Sequence, residues 1–246
     1  MAHEEYVKIV PGTDTAVLCI HGILGSPDHF RDLLPLIPEE WSVCNVLLPG
    51  HGGTVQNFSR SSMEQWKTYI DEKVRMLLRD HKRIFIVAHS MGTLLALEQA
   101  MKDPEHIAGL FLLAAPLRLG IRWGMVENVW KVFTGNIDPS DHVAQAAKDS
   151  CSVEQDKRLW RYLGWVPRYL ELFCLMSAVR RRVSQVSVPA IACQSRLDEM
   201  VSLRSLHDLK MCPSVAVTLL QTSRHYYYSP EDKCRIFEAF KTFCTH

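Results

Sequence analysis

Four short stretches of this chain, residues 16–20, 85–88, 109–114 and 190–193, are apolar almost without a break. A strand with one wet face alternates polar and apolar residues. A strand covered on both faces reads as a continuous apolar run. Three further stretches, 6–10, 41–48 and 215–220, have strand character, the first alternating like an edge strand. Between them lie segments with good helix formers and apolar residues on a helical period, at 27–37, 62–79, 93–101, 203–211 and 230–243. Strands alternating with helices predict an α/β fold with a mostly parallel central sheet flanked by helices. In such sheets ligands bind at the carboxyl ends of the strands.

The alternation stops between residues 117 and 186. Trp123, Trp130, Phe133, Trp160, Tyr162, Trp165, Tyr169 and Phe173 crowd this stretch among helix-like segments. It reads as a helical cap or lid inserted between two strands of a core formed by 1–116 and 187–246. The apolar share of 47% over 246 residues is enough for one such domain with its insertion. Opposite charges nearly cancel, at 28 basic and 27 acidic side chains, which argues against a nucleic-acid partner.

Met1 to Glu5 is acidic and lacks an apolar core, so no secretory leader is expected. No run has the length to span a membrane. Eight cysteines form no C-x-x-C pair, and Cys19, Cys44 and Cys193 fall in strand-like runs as small hydrophobes. The expectation is a cytoplasmic protein with reduced thiols, monomeric or homodimeric.

The chemistry begins at residues 85–96. Strand character ends at His89, helix character starts at about Thr93, and Ser90 occupies the sharp turn between. A serine there is held clear of both elements, beside the free N–H groups of a helix start. It suits a nucleophile, and equally an ordinary N-cap of the following helix. The common form of this turn is G-x-S-x-G, and here Ala88 takes the first glycine's place. Two other strand ends carry complementary groups: Asp198 with Glu199 after 190–194, and His225 after 215–220. A serine needs a base, and the base needs a carboxylate to orient it. His225 could also be a plain loop histidine, and Glu199 competes with Asp198.

In this order the chain resembles the α/β-hydrolase superfamily, and within it bacterial carboxylesterases and monoacylglycerol-lipase-like serine hydrolases. The resemblance rests on His21-Gly22-Ile23-Leu24-Gly25-Ser26-Pro27, Pro49-Gly50-His51-Gly52, His89-Ser90-Met91-Gly92, Arg196-Leu197-Asp198-Glu199-Met200-Val201 and Ser223-Arg224-His225. It implies the α/β-hydrolase fold, with Ser90 as nucleophile, His225 as general base and acid, and Asp198 as orienting carboxylate. The backbone N–H groups of Ile23 and Met91 would form the oxyanion hole. Thr93 stands where many relatives carry a second glycine. The implied activity is hydrolysis of carboxylic esters with small or medium acyl chains, through an acyl-enzyme. The same triad could serve a thioester, amide or C–C bond, and the same fold could be a non-catalytic binding module. Epoxide and haloalkane hydrolysis are disfavoured, since those relatives need Asp at the position of Ser90.

The remaining polar residues take quieter roles. His21 and His51 are expected to hold their loops through hydrogen bonds, and His89 to support the site from behind. Glu199 is expected to point away, to a salt bridge or solvent. Gly52-Gly53 lies one strand too late for an oxyanion loop. Arg180-Arg181-Arg182 reads as a solvated run. The insertion's aromatics are mostly packing, with some lining an acyl pocket. Histidine spacing suggests no metal site, and no cofactor is expected. The implied partner is a small-molecule ester, and no large exposed apolar segment is anticipated.

Overall fold

In the computed structural model, which describes residues 3–120 and 122–245, the apolar runs lie side by side. Seven strands form one sheet: β1 (Tyr6–Lys8), β2 (Thr15–Ile20), β3 (Ser42–Asn45), β4 (Arg83–His89), β5 (Ile107–Leu113), β6 (Ala190–Ser195) and β7 (Val215–Leu220). Their spatial order is β1-β3-β2-β4-β5-β6-β7. Only β1 is antiparallel to its neighbour. All of β2 is buried, as a strand covered on both faces must be. Two apolar layers cover the sheet. One centres on Trp66, Ile70, Leu94 and Leu97, and the other on Phe30, Phe85, Phe111 and Phe240.

The helices of the core are α1 (Val55–Arg60), α2 (Met63–Leu77), α3 (Met91–Lys102), α7 (Arg204–Lys210) and α8 (Pro230–Phe243). Ser62 caps α2 by accepting from the Gln65 N–H, and Ser229 caps α8 through the Asp232 N–H. The helix expected over 27–37 is instead two separate 3-10 turns, Pro27–Phe30 and Leu34–Leu36. Pro35 has no N–H to continue a helical ladder, and that explains the break.

Between β5 and β6 the chain carries α4 (Trp123–Thr134), α5 (His142–Ser150) and α6 (Val166–Arg182). Three anchors tie this insertion down. Near the start of the insertion, Leu119 bridges Val201, and the Gly120 and Arg122 N–H groups donate to the Met200 and Glu199 carbonyls. Midway, Ser152 donates its N–H to Leu24 and its hydroxyl to Gly25. At α6, Arg168 donates to the Ser59 carbonyl and Glu171 accepts from the Met63 N–H. The first two anchors fall on loops that carry candidate site residues.

The insertion also exposes much apolar surface, against expectation. Trp123 is 80% exposed, and Trp130, Leu159, Trp160 and Leu163 are each more than half exposed. These residues are interleaved with polar ones, so no apolar run signals them in the sequence. Among the described residues no helix is long and apolar enough to cross a membrane.

Candidate active site

The parallel strands β2, β4, β6 and β7 deliver their carboxyl ends to one edge of the sheet. Ser90 follows β4 directly. Its backbone sits at φ 50° and ψ −125°, strained for a residue with a Cβ. Close packing imposes this angle: a Cβ on Gly92 would come within 2.2 Å of the Ile20 carbonyl oxygen. Ala88 fits because that position is fully buried but not at positive φ. The Thr93 hydroxyl donates to the Ser90 carbonyl at 2.7 Å, a bond that glycine could not make.

The Ser90 hydroxyl does not cap α3. It lies 3.1 Å from Nε2 of His225. Nδ1 of His225 is 3.0 Å from Oδ2 and 3.2 Å from Oδ1 of Asp198. Asp198 is further held by the Met200 and Val201 N–H groups, both 2.8 Å from Oδ1, and by the Gln194 amide. With Nδ1–H donated to Asp198, Nε2 is free to accept from Ser90. Burial works to raise the Asp198 pKa, but the charge and hydrogen bond of His225, together with the Val201 and Met200 N–H groups, outweigh it and the net shift is downward. Burial works to lower the His225 pKa. The Asp198 carboxylate, by charge and hydrogen bond, overcomes this with help from Glu199, and the net shift is upward.

Ile23 and Met91, whose backbone N–H groups are the ones expected to face a developing oxyanion, adjoin this place in the chain. Met91 opens α3, so its N–H has no partner within the helix. Gly22, which precedes Ile23, packs so close that a Cβ there would lie 2.8 Å from the Ser90 Cβ. His21 and His51 hold the surrounding loops, each with Nδ1 donating to a carbonyl and Nε2 accepting from a backbone N–H. His21 accepts from Leu48 at 3.0 Å, and His51 from Leu24 at 3.2 Å. His89 supports His225 from behind: its Nε2 donates to the His225 carbonyl at 3.1 Å, and its ring stacks on His29.

Glu199 is not where the sequence reading puts it. It is only 5% exposed. Oε2 accepts from the His225 N–H at 3.2 Å, and Oε1 faces the Asn128 amide at 3.4 Å. The pairing of Leu119, Gly120 and Arg122 with its loop turns it inward. Asp232 is a second residue the sequence reading passed over. It stands in the first turn of α8 and accepts from the Gln221, Thr222 and Ser223 N–H groups and the Ser223 hydroxyl. It thereby shapes the loop that presents His225. An acidic residue in the first turn of a helix was the available signal.

Above these residues opens a cleft. Its walls include Ile23, Val129, Phe133, Tyr162, Trp165 and Tyr226. Chain neighbours of Gly22, Asp198 and His225 therefore line the same space. Among the described residues, no three His, Cys, Asp or Glu side chains converge as a metal-binding group. All eight cysteines are unpaired, and burial pushes the Cys44 and Cys193 thiols up to about 12.

Residues 15–189 match the family defined by the alpha/beta hydrolase fold. The chain belongs to the α/β-hydrolase family. It is similar to an uncharacterized hydrolase, YugF, of Bacillus subtilis (strain 168), at 30% identity over 108 residues. That match covers 43% of this chain and 38% of the relative. It is also similar to a thermostable monoacylglycerol lipase of Bacillus sp. (strain H-257), at 30% over 90 residues, 36% of each chain. The matched stretch thus spans little more than a third of the length of these curated relatives. In three dimensions this α/β-hydrolase resembles a structure reported for two metagenome-derived lipolytic enzymes, LipS and LipT. The TM-score is 0.73 and the identity 21%, over 99% of this chain and 98% of the other.

Proposed function

We propose that this α/β-hydrolase is a serine esterase that cleaves a neutral carboxylic ester of small or medium acyl chain through an acyl-enzyme. One observation carries the reading: the strained Ser90 hydroxyl caps nothing and lies 3.1 Å from a histidine whose other nitrogen rests on a buried aspartate. Similarity to a monoacylglycerol lipase favours an ester as substrate. The apolar walls of the cleft and the exposed apolar residues of the insertion favour one with a lipid-like acyl part.

In this mechanism the Ser90 proton passes to His225 Nε2 as Oγ bonds to the ester carbonyl carbon. Asp198 holds the imidazole in the correct tautomer and stabilises the imidazolium. The carbonyl oxygen becomes an oxyanion facing the Ile23 and Met91 N–H groups, each contributing on the order of 3 kcal/mol. Collapse breaks the bond to the alcohol oxygen, which takes the proton from His225. A water then gives a proton to His225 and its oxygen to the acyl carbon. The acid leaves, and the proton returns to Ser90. The insertion over 117–186 acts as a lid that forms the outer wall of the acyl pocket.

The test is intact mass after treatment with a fluorophosphonate, on wild type and on Ser90→Ala. One adduct on wild type and none on the variant is the expected result, followed by p-nitrophenyl ester turnover that peaks at a small or medium chain. A folded wild type that takes no adduct and turns over no ester would overturn the reading, and a non-catalytic binding role would replace it.

A further inference from the structure

Glu199 is the one charged side chain among the described residues that line the cleft. Two of the other polar groups there are already engaged with the protein. The Gln155 amide donates to the Val132 carbonyl at 2.8 Å, and the Tyr162 hydroxyl accepts from the Asp156 N–H at 2.9 Å. Glu199 differs. Oε2 accepts from the His225 N–H, while Oε1 has only the long 3.4 Å approach of Asn128. A carboxylate offers roughly four acceptor positions, so most of its capacity remains for a ligand. Each oxygen faces an N–H donor.

Its position is held from several sides. Asp198 next door is fixed by the Met200 and Val201 N–H groups. The Glu199 and Met200 carbonyls accept from the Arg122 and Gly120 N–H groups of the insertion. Asn128 stands on α4, six residues further along the same segment. Arg224, the arginine of the neighbouring loop, donates to the Leu197 carbonyl. Asp198 is already matched with His225. Glu199 therefore adds a negative charge to an apolar cleft, next to the reacting groups.

We propose that Glu199, with Asn128, is the specificity-determining pair of this site. It admits neutral substrates that donate a hydrogen bond, such as hydroxyl- or amide-bearing esters, and excludes substrates carrying an anionic group. A hydroxyl or amide N–H entering the cleft replaces its lost water with a charge-assisted bond to Oε1. A second carboxylate entering the same apolar space meets like charge at short range with little screening. The same repulsion drives out the acid that ester cleavage releases. This inference rests on the esterase reading, but binding tests it without any turnover.

The experiment compares dissociation constants of octanamide and octanoate at pH 8, below their aggregation concentrations, for wild type, Glu199→Gln and Asn128→Ala. Wild type should bind octanamide at least tenfold more tightly than octanoate. Glu199→Gln keeps the shape and an acceptor for the His225 N–H. It should bring the two ligands within about threefold, chiefly by tighter octanoate binding. Asn128→Ala should weaken octanamide severalfold and leave octanoate excluded. Equal affinities in wild type, no octanamide binding, or an unchanged ratio in a folded Glu199→Gln would each overturn the proposal. The wild-type comparison decides even if a variant does not fold. Failure of the esterase reading would appear separately, as a Ser90 that takes no phosphonyl adduct.

Discussion

His225 places Nδ1 3.0 Å from Oδ2 of Asp198, and neither side chain is reached by solvent. The pair is thus set to keep one imidazole tautomer. In Asp198→Asn, an amide N–H facing Nδ1 favours the opposite tautomer and turns Nε2–H toward Ser90. Ester turnover should fall by about 10³- to 10⁴-fold. The fold should persist, because the amide oxygen can still accept from the Met200 and Val201 N–H groups. Steady-state kinetics with a chromogenic ester, beside a thermal melt, checks both halves.

The pH profile follows from the same pair. Burial lowers the His225 pKa, but Asp198 and then Glu199 more than compensate, so it lies above the ordinary 6.5. Only the neutral imidazole takes the Ser90 proton. Activity should therefore be lost as pH falls through a value above 6.5. Glu199→Gln removes one of the negative charges that raise this value. The acid limb of kcat/KM should move to lower pH in that variant, and an unmoved limb would count against the assigned electrostatics.

Stability should carry a histidine signature of opposite sign. Burial, opposed in part by the bond to the Gly22 carbonyl, holds the His21 pKa down to about 4 against 6.5 when unfolded. Between those values the unfolded chain binds a proton that the native protein does not. The contribution is fully present above pH 6.5, is lost as pH falls, and levels off below 4. Each such histidine removes up to roughly 1.4 kcal/mol per pH unit in that window. His29, pushed by burial to about 3, adds to the same trend. Denaturant midpoints from pH 8 to 4.5 should show a shallower decline for His21→Gln than for wild type.

Asp232 offers a test of how the His225 loop is held. Asp232→Ala removes the acceptor for three backbone N–H groups and two hydroxyls. Stability should fall by roughly 2–4 kcal/mol, because the donors, with those of buried Ser223 among them, are left without a charged partner. Turnover should also fall, since residues 221–225 lose their shape. Chemical unfolding gives the first quantity. If Asp232→Ala were as stable and active as wild type, the loop would have another support.

Much of this was legible in the chain because the relevant signals are local. Unbroken apolar runs mark strands buried on both faces, and the change of period after residue 89 marks the turn at Ser90. Loops after β6 and β7 had to share its edge, since strands joined through helices run parallel. The end of α8 was equally local. The failures have a common cause. Pro35 broke a helix that periodicity alone would continue, and the long interleaved insertion hid an exposed apolar surface. Glu199 was misread because its direction is decided by Leu119, Gly120 and Arg122, some eighty positions earlier.

The sequence by itself determined which elements form, their order, and which residue types stand at the strand ends, through burial patterns and backbone preferences that act over a few residues. The tertiary structure alone decided that Ser90, His225 and Asp198 meet within hydrogen-bond distance. It also decided which carbonyl and N–H groups His21, His51 and His89 reach, and that Glu199 turns into the cleft. These outcomes depend on the sheet bringing distant loops together, where loss of water makes each polar side chain find a partner.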